Sequence, residues 1–160
     1  MNKNGFLLAE ETLKIIIAFI ALTFLVYFLT SLYFAKVNEV DFGKAKQILI
    51  DSPESLANTF QNLIEGKTRQ FILQDPVGWH LFSFIGNDKP NSCSGKNCLC
   101  ICNTPLSTYF TPQIEECDKK NSGVCTVVTS LESNVDIKIL KDLKTTIFIK
   151  KVNDKISIVG

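Results

Sequence analysis

The sequence predicts an α+β protein: a long N-terminal transmembrane helix, then a second amphipathic helix packed on an antiparallel β-sheet head. Three observations carry this reading. Residues 15–35 contain no charge, no Gly and no Pro. Leu56, Phe60, Leu63 and Ile64 recur at i, i+4, i+7 and i+8, which places them on one helix face. From residue 69 onward, short β-branched and aromatic runs alternate with segments rich in Asn, Ser, Gly, Pro and Lys.

The apolar run has 21 residues. At a rise of about 1.5 Å per residue it makes a helix about 31 Å long, which matches the ~30 Å hydrocarbon core of a bilayer. Only Thr23, Thr30 and Ser31 interrupt its apolar surface, so the polar stripe of a soluble core helix is missing. The run is also longer than the apolar stretch of a cleaved secretory signal, and Leu32-Tyr33-Phe34-Ala35-Lys36 is no small-x-small cleavage site. A retained membrane helix is therefore expected.

Beyond it, residues 37–50 read as a helical continuation, with Val40, Ala45, Ile48 and Leu49 at helical spacing. Asp51-Ser52-Pro53-Glu54 reads as a stop and restart. Ser52 is placed to cap a second helix, Pro53 fits a first turn, and Glu54 suits the positive end of the helix dipole. That helix is expected to stop near Gly66. Strands are expected at residues 69–73, 79–85, 99–102, 124–129, 135–139, 146–151 and 155–159, with loops at 86–97 and 103–122. The last two strands, joined through Val152-Asn153-Asp154, give the strongest hairpin signal, because Asn and Asp tolerate the backbone of a tight turn.

Charge narrows the function. The 124 residues after Lys36 carry 14 basic and 14 acidic side chains, which gives no basic face for a nucleic acid. The chain has one His and no G-x-S-x-G, no Gly-rich phosphate loop and no H-E-x-x-H, so the usual catalytic arrangements are not in the sequence. No enzymatic activity and no cofactor are expected. His80 reads as an ordinary strand residue and Trp79 as core.

All six cysteines, Cys93, Cys98, Cys100, Cys102, Cys117 and Cys125, fall within 33 residues. An even, clustered set behind a membrane anchor points to disulfides and an oxidising compartment, hence to an N-terminus inside and a head outside. The lysines flanking the helix lie on both sides and give no vote on orientation. Cys98-Leu99-Cys100-Ile101-Cys102 alternates, so a strand would project three thiols from one face, about 6–7 Å apart. Such neighbours are poorly placed to bond one another, so each is expected to pair with one of Cys93, Cys117 and Cys125. The sequence leaves the individual bonds open. A zinc or iron–sulfur site is the alternative; the cluster has no C-x-x-C, and the only His lies outside it. No metal is expected.

The N-terminus reads Met1-Asn2-Lys3-Asn4-Gly5-Phe6-Leu7-Leu8-Ala9-Glu10-Glu11-Thr12-Leu13-Lys14. A short polar leader ending in Gly, then Phe, then Glu at the fifth place of the would-be mature chain, resembles the class III signal peptide of type IV pilins and pilin-like proteins. The resemblance covers the leader and the apolar helix. Asn4 stands where the family commonly has a basic residue, and Glu11 and Lys14 stand where it is usually apolar. It implies cleavage between Gly5 and Phe6 by a prepilin-type peptidase. It also implies that the Glu10 carboxylate meets the amino terminus of a neighbouring subunit during assembly. The chain would then divide into a leader (1–5), a transmembrane and assembly helix (6–36), a helical stalk (37–66) and a disulfide-rich β-sheet head (67–160). Its expected role is a structural subunit in a cell-surface filament or pseudopilus. The partners would be the membrane, copies of itself or other pilin-like subunits, and the peptidase. The alternative is a stand-alone, single-pass, membrane-anchored extracellular binding domain, with Glu10, Glu11 and Lys14 as the wet flank of its anchor.

Overall fold

The computed structural model describes residues 3–103, 113–141 and 144–160; the side chains of residues 3–10, 113 and 116 lie outside the described part. Met1 and Asn2 of the expected leader, and residues 104–112 of the expected 103–122 loop, are outside it as well. The arrangement is α+β, with one long apolar N-terminal helix and antiparallel sheets. The chain divides into two units, Met1–Val37 and Asn38–Gly160.

Helix α1 spans Lys3–Lys46. Its most apolar stretch of 18 residues has a mean hydropathy of 2.5 and is not buried at all, so it is long and apolar enough to cross a membrane. Two of its few polar side chains return their hydroxyl protons to the helix itself. Thr23 donates to the Ile20 carbonyl at 2.8 Å, and Thr30 to those of Val26 and Tyr27 at 3.0 and 2.8 Å. A hydroxyl satisfied in this way needs no water, which suits an apolar surrounding.

The second unit takes in the last turns of α1, which continue through a wider π-helical turn at Gln47–Asp51. Ala45 and Leu49 are fully buried and Phe42 packs beside them, whereas Val40 stays exposed. Lys44 Nζ reaches Asp75 Oδ1 at 3.0 Å. The hydrogen bond and the charge of Asp75 raise the Lys44 pKa, although a pair this exposed adds little stability.

Helix α2, Leu56–Gln61, is shorter than the sequence predicts. Its N-cap is Ser55, which accepts from the Asn58 amide at 3.3 Å. Ser52 is instead spent on the preceding turn, where its hydroxyl accepts from the Glu54 amide at 3.2 Å and its carbonyl from Asn58 Nδ2 at 3.0 Å. At the other end Asn62 folds its amide back onto the Asn58 carbonyl and closes the helix. Leu63 still reaches the core after this turn, but Ile64 is 68% exposed and does not continue the stripe.

The strands are β1 (Thr68–Leu73), β2 (His80–Phe84), β3 (Cys98–Cys102), β4 (Gly123–Val127), β5 (Val135–Lys138), β6 (Thr145–Val152) and β7 (Lys155–Val159). They form two sheets where the sequence suggested one. A three-stranded sheet has the order β1-β6-β7, and a four-stranded sheet has the order β4-β3-β2-β5. The β6–β7 hairpin turns on Asn153 and Asp154, both at positive φ (52° and 60°), the backbone that a tight two-residue turn requires. Both sheets contribute to one core. Leu73, Ile147, Ile149, Ile156 and Ile158 come from the first, and Leu81, Leu99, Ile101 and Val124 from the second; Leu49, Leu56 and Phe60 cover them. A short helix, α3 (Gln113–Asp118), and a 3-10 turn at Asn91–Cys93 lie in segments that the sequence presents as loops.

Candidate functional site

Strand β3 is apolar on both faces, and this organises the head. Leu99 and Ile101 point into the main core, while Cys98, Cys100 and Cys102 point to the opposite face of the four-stranded sheet. All five residues of the strand are fully buried. On that second face the neighbouring strand β2 sets His80 opposite Cys102, Phe82 opposite Cys100 and Phe84 opposite Cys98. The rings form a row: His80 stacks on Phe82 with centroids 5.5 Å apart, and Phe82 lies 5.9 Å from Phe84. Aromatic rings beside sulfur pack favourably, so the two rows cover one another.

Three disulfides close this face: Cys93–Cys98, Cys100–Cys125 and Cys102–Cys117. Each joins one strand cysteine to one flanking cysteine. Cys125 faces Cys100 directly across the β3–β4 ladder, so the sheet register makes that bond. Cys93 comes from the 3-10 turn and Cys117 from α3, and these two bonds tie the cover of the face to the sheet. The Cys102–Cys117 bond closes a separation of 15 residues, for which the chain-entropy estimate is about 3 kcal/mol. The Cys100–Cys125 bond spans 25 residues and contributes more; the Cys93–Cys98 bond spans 5 and contributes less.

The sulfurs of Cys93, Cys98 and Cys100 lie within 4.8 Å of one another, as do those of Cys100, Cys102 and Cys117. Such spacing would suit thiolate ligands around a metal ion. With every one of these sulfurs in a disulfide, none presents a thiolate.

A carboxylate fastens the two covering pieces together. Asp118, the last residue of α3, accepts from the Asn91 amide at 2.6 Å and the Ser92 amide at 3.0 Å. Burial pushes its pKa up, but the hydrogen bonds from Ser92 and Asn91 together outweigh that and hold it below the ordinary carboxylate value. A depressed carboxylate stabilises the fold above its unfolded pKa, and that contribution is lost as pH falls through the folded pKa. The Asn91 and Ser92 amide proton shifts should therefore titrate together, with a midpoint below the usual range for Asp. Asp118→Asn should abolish the titration, and a midpoint at the ordinary Asp value would contradict the assignment.

His80 Nδ1 lies 2.7 Å from Asp136 Oδ1 on β5. His80 is the end ring of the aromatic row, and on the same strand, β2, the Ser83 hydroxyl donates to the Ser133 carbonyl and accepts from the Val135 amide. The sequence signals neither this pairing nor Asp118, since each joins residues far apart in the chain. Gly123, the first residue of β4, is also unmarked in the sequence, yet a Cβ there would run into the backbone of Cys117. Of the residues expected to act at the N-terminus, Gly5, Phe6 and Glu10 all fall within the backbone of α1, and their side chains lie outside the described part.

Comparison with known protein families, with curated proteins and with solved structures finds no match for this chain.

Proposed function

We propose that this protein is a pilin-like structural subunit, made as a membrane-anchored precursor and assembled through its N-terminal helix into a cell-surface filament or pseudopilus. The observation that carries the reading is the joining of a Gly5-Phe6 leader junction and Glu10 to an apolar helix whose most apolar 18 residues are unburied among the described residues. Such a surface is stable only in lipid or against other apolar helices. A bundle of copies supplies the second once the leader has gone. A small α+β head closed by three disulfides suits an exposed position in an oxidising compartment. In this reading the N-terminus starts inside and the head lies outside.

The test is the mass of the N-terminus. Co-expression with a prepilin peptidase should yield mature protein beginning at Phe6, and Gly5→Leu should block the cut. If Met1 or Asn2 persists in functional material, the subunit reading fails and the anchored binding domain takes its place. One observation favours that second reading: a groove of about 430 Å³ between α2 and β1, lined by Glu54, Asn58, Asn62, Arg69, Gln70 and Ile72. It mixes charge, amide and apolar surface as a recognition site does.

A further inference from the structure

The three disulfides are in contact and unequally exposed. Cys93, Cys98, Cys100 and Cys102 are fully buried and Cys117 is 2% exposed. Cys125, on the edge strand β4, is the half-buried exception among the described cysteines. Its partner Cys100 sits in the middle of the row. The Cys100 sulfur lies 3.9 Å from the sulfur of Cys93 and 3.9 Å from that of Cys98. It therefore lies broadside to the Cys93–Cys98 bond, held there by its own bond to Cys125.

We infer that Cys125 is a thiol–disulfide exchange site, and that opening it there passes the break inward to the Cys93–Cys98 bond. The partner is a thiolate, of a small molecule or of a protein cysteine. Access selects the sulfur that is attacked. The incoming thiolate bonds to Cys125 Sγ, the Cys100–Cys125 bond breaks, and its electron pair leaves on Cys100. Burial makes the Cys100 thiolate costly and so short-lived: it takes up a proton or attacks the disulfide whose two sulfurs each lie 3.9 Å away. Exchange requires approach along the axis of the bond under attack. While tethered to Cys125, the Cys100 sulfur cannot take that line; once released, it can swing about its Cα–Cβ bond.

Cys100 then bonds to Cys93 Sγ, the Cys93–Cys98 bond breaks, and Cys98 carries the electron pair until it takes a proton. Cys93 is the acceptor because it lies off the strand, whereas Cys98 is two residues along the same strand, a poor geometry for a bond. One mixed disulfide and one thiol result, with no net oxidation beyond the incoming thiol. The row thus gives a head that is closed at rest a single point of entry for a thiol partner.

The experiment uses the full-length, disulfide-intact chain in detergent micelles. It is exposed briefly to glutathione or, in a second arm, to a thioredoxin-type protein whose resolving cysteine is replaced by serine. Acid quenching, alkylation and peptide mapping then locate the adduct and the freed thiol. The first adduct should be on Cys125, with the thiol appearing on Cys98 beside a new Cys93–Cys100 bond; a thiol that stays only on Cys100, with Cys93–Cys98 intact, would overturn the inward step. Adducts in the glutathione arm alone identify a small thiol as the partner, and adducts in the protein arm at lower concentration identify a protein. A first adduct on any other cysteine, or simultaneous opening of all three bonds, would overturn the entry site.

Cys125→Ser isolates the second step, because it leaves Cys100 without its partner. The free thiol of this variant should divide between Cys100 and Cys98. A thiol found only on Cys100, with Cys93–Cys98 intact, would overturn the inward step. If the variant does not fold, the wild-type mapping still decides both steps.

Discussion

Glu10→Gln should leave the protein in the membrane but lower its incorporation into filaments by about tenfold or more, while Glu11→Gln should have a much smaller effect. Two carboxylates share one nearby cation. Lys14 is four residues after Glu10 and three after Glu11, so it can neutralise either on the same helix flank. Each such pair is worth only about 0.2–0.5 kcal/mol on an exposed helix. The carboxylate left over is tolerable in water or among lipid headgroups. In a bundle of apolar helices it costs several kcal/mol unless a second cation arrives. In the proposed assembly that cation is the amino terminus of a neighbour, created at Phe6 only when the leader is cut, so processing and assembly are coupled. Because about 1.4 kcal/mol is a factor of ten in an equilibrium, losing even part of that pairing gives the expected drop. Comparing the sheared filament fraction with the membrane fraction by immunoblot reads the effect directly. Equal effects of the two substitutions, or none from either, would place both charges in the headgroup region and remove the assembly role of Glu10.

Much of the architecture was legible in the sequence because each signal was local. The span of residues 15–35 shows itself by length and composition, and the helix there is continuous from Lys3 to Lys46. The seven β-rich runs correspond to the seven strands, with ends shifted by a residue or two. Alternation in Cys98-Leu99-Cys100-Ile101-Cys102 placed three cysteines on one face, and the disulfides do link each to a flanking segment. What the sequence concealed depends on contacts between distant residues. The division into two sheets follows from β6 pairing with β1 and β7, while β2 pairs with β3 and β5; period-two patterning cannot choose among such partners. The helix start was misplaced because Ser52 and Ser55 are both good caps: Ser52 accepts from the Glu54 amide within the preceding turn, and Ser55 accepts from the Asn58 amide and caps the helix. Residues 113–118 are polar and short, so α3 leaves almost no periodic trace; the bond of Cys117 to the sheet is what holds it there.

The same substitution at two glycines should move stability in opposite directions. Gly123→Ala should destabilise the head by about 1–3 kcal/mol, the usual cost of an atom forced into a packed site. The new methyl would collide with the carbonyl oxygen, Cα and carbonyl carbon of Cys117. These are backbone atoms at the end of α3, so no rotamer change relieves the clash. They are also fixed from both sides, by the Cys102–Cys117 bond and by the two hydrogen bonds that Asp118 accepts from the 91–93 turn. Either β4 must pull away from β3 or α3 must lift off the disulfide face. Gly43→Ala meets nothing within 4 Å and lies inside α1 at an ordinary helical φ, so the added methyl removes only unfolded-chain freedom. It should raise stability by about 0.5–1 kcal/mol. For a chain of this size each kcal/mol shifts the midpoint by ~2–4 °C, so the two variants should melt on either side of the wild type by a measurable margin. Thermal unfolding of the disulfide-intact chain in detergent provides the measurement. A Gly123→Ala variant that melts with the wild type would mean that α3 is not held against β4, and that the cover over the disulfide row is looser than its bonds imply.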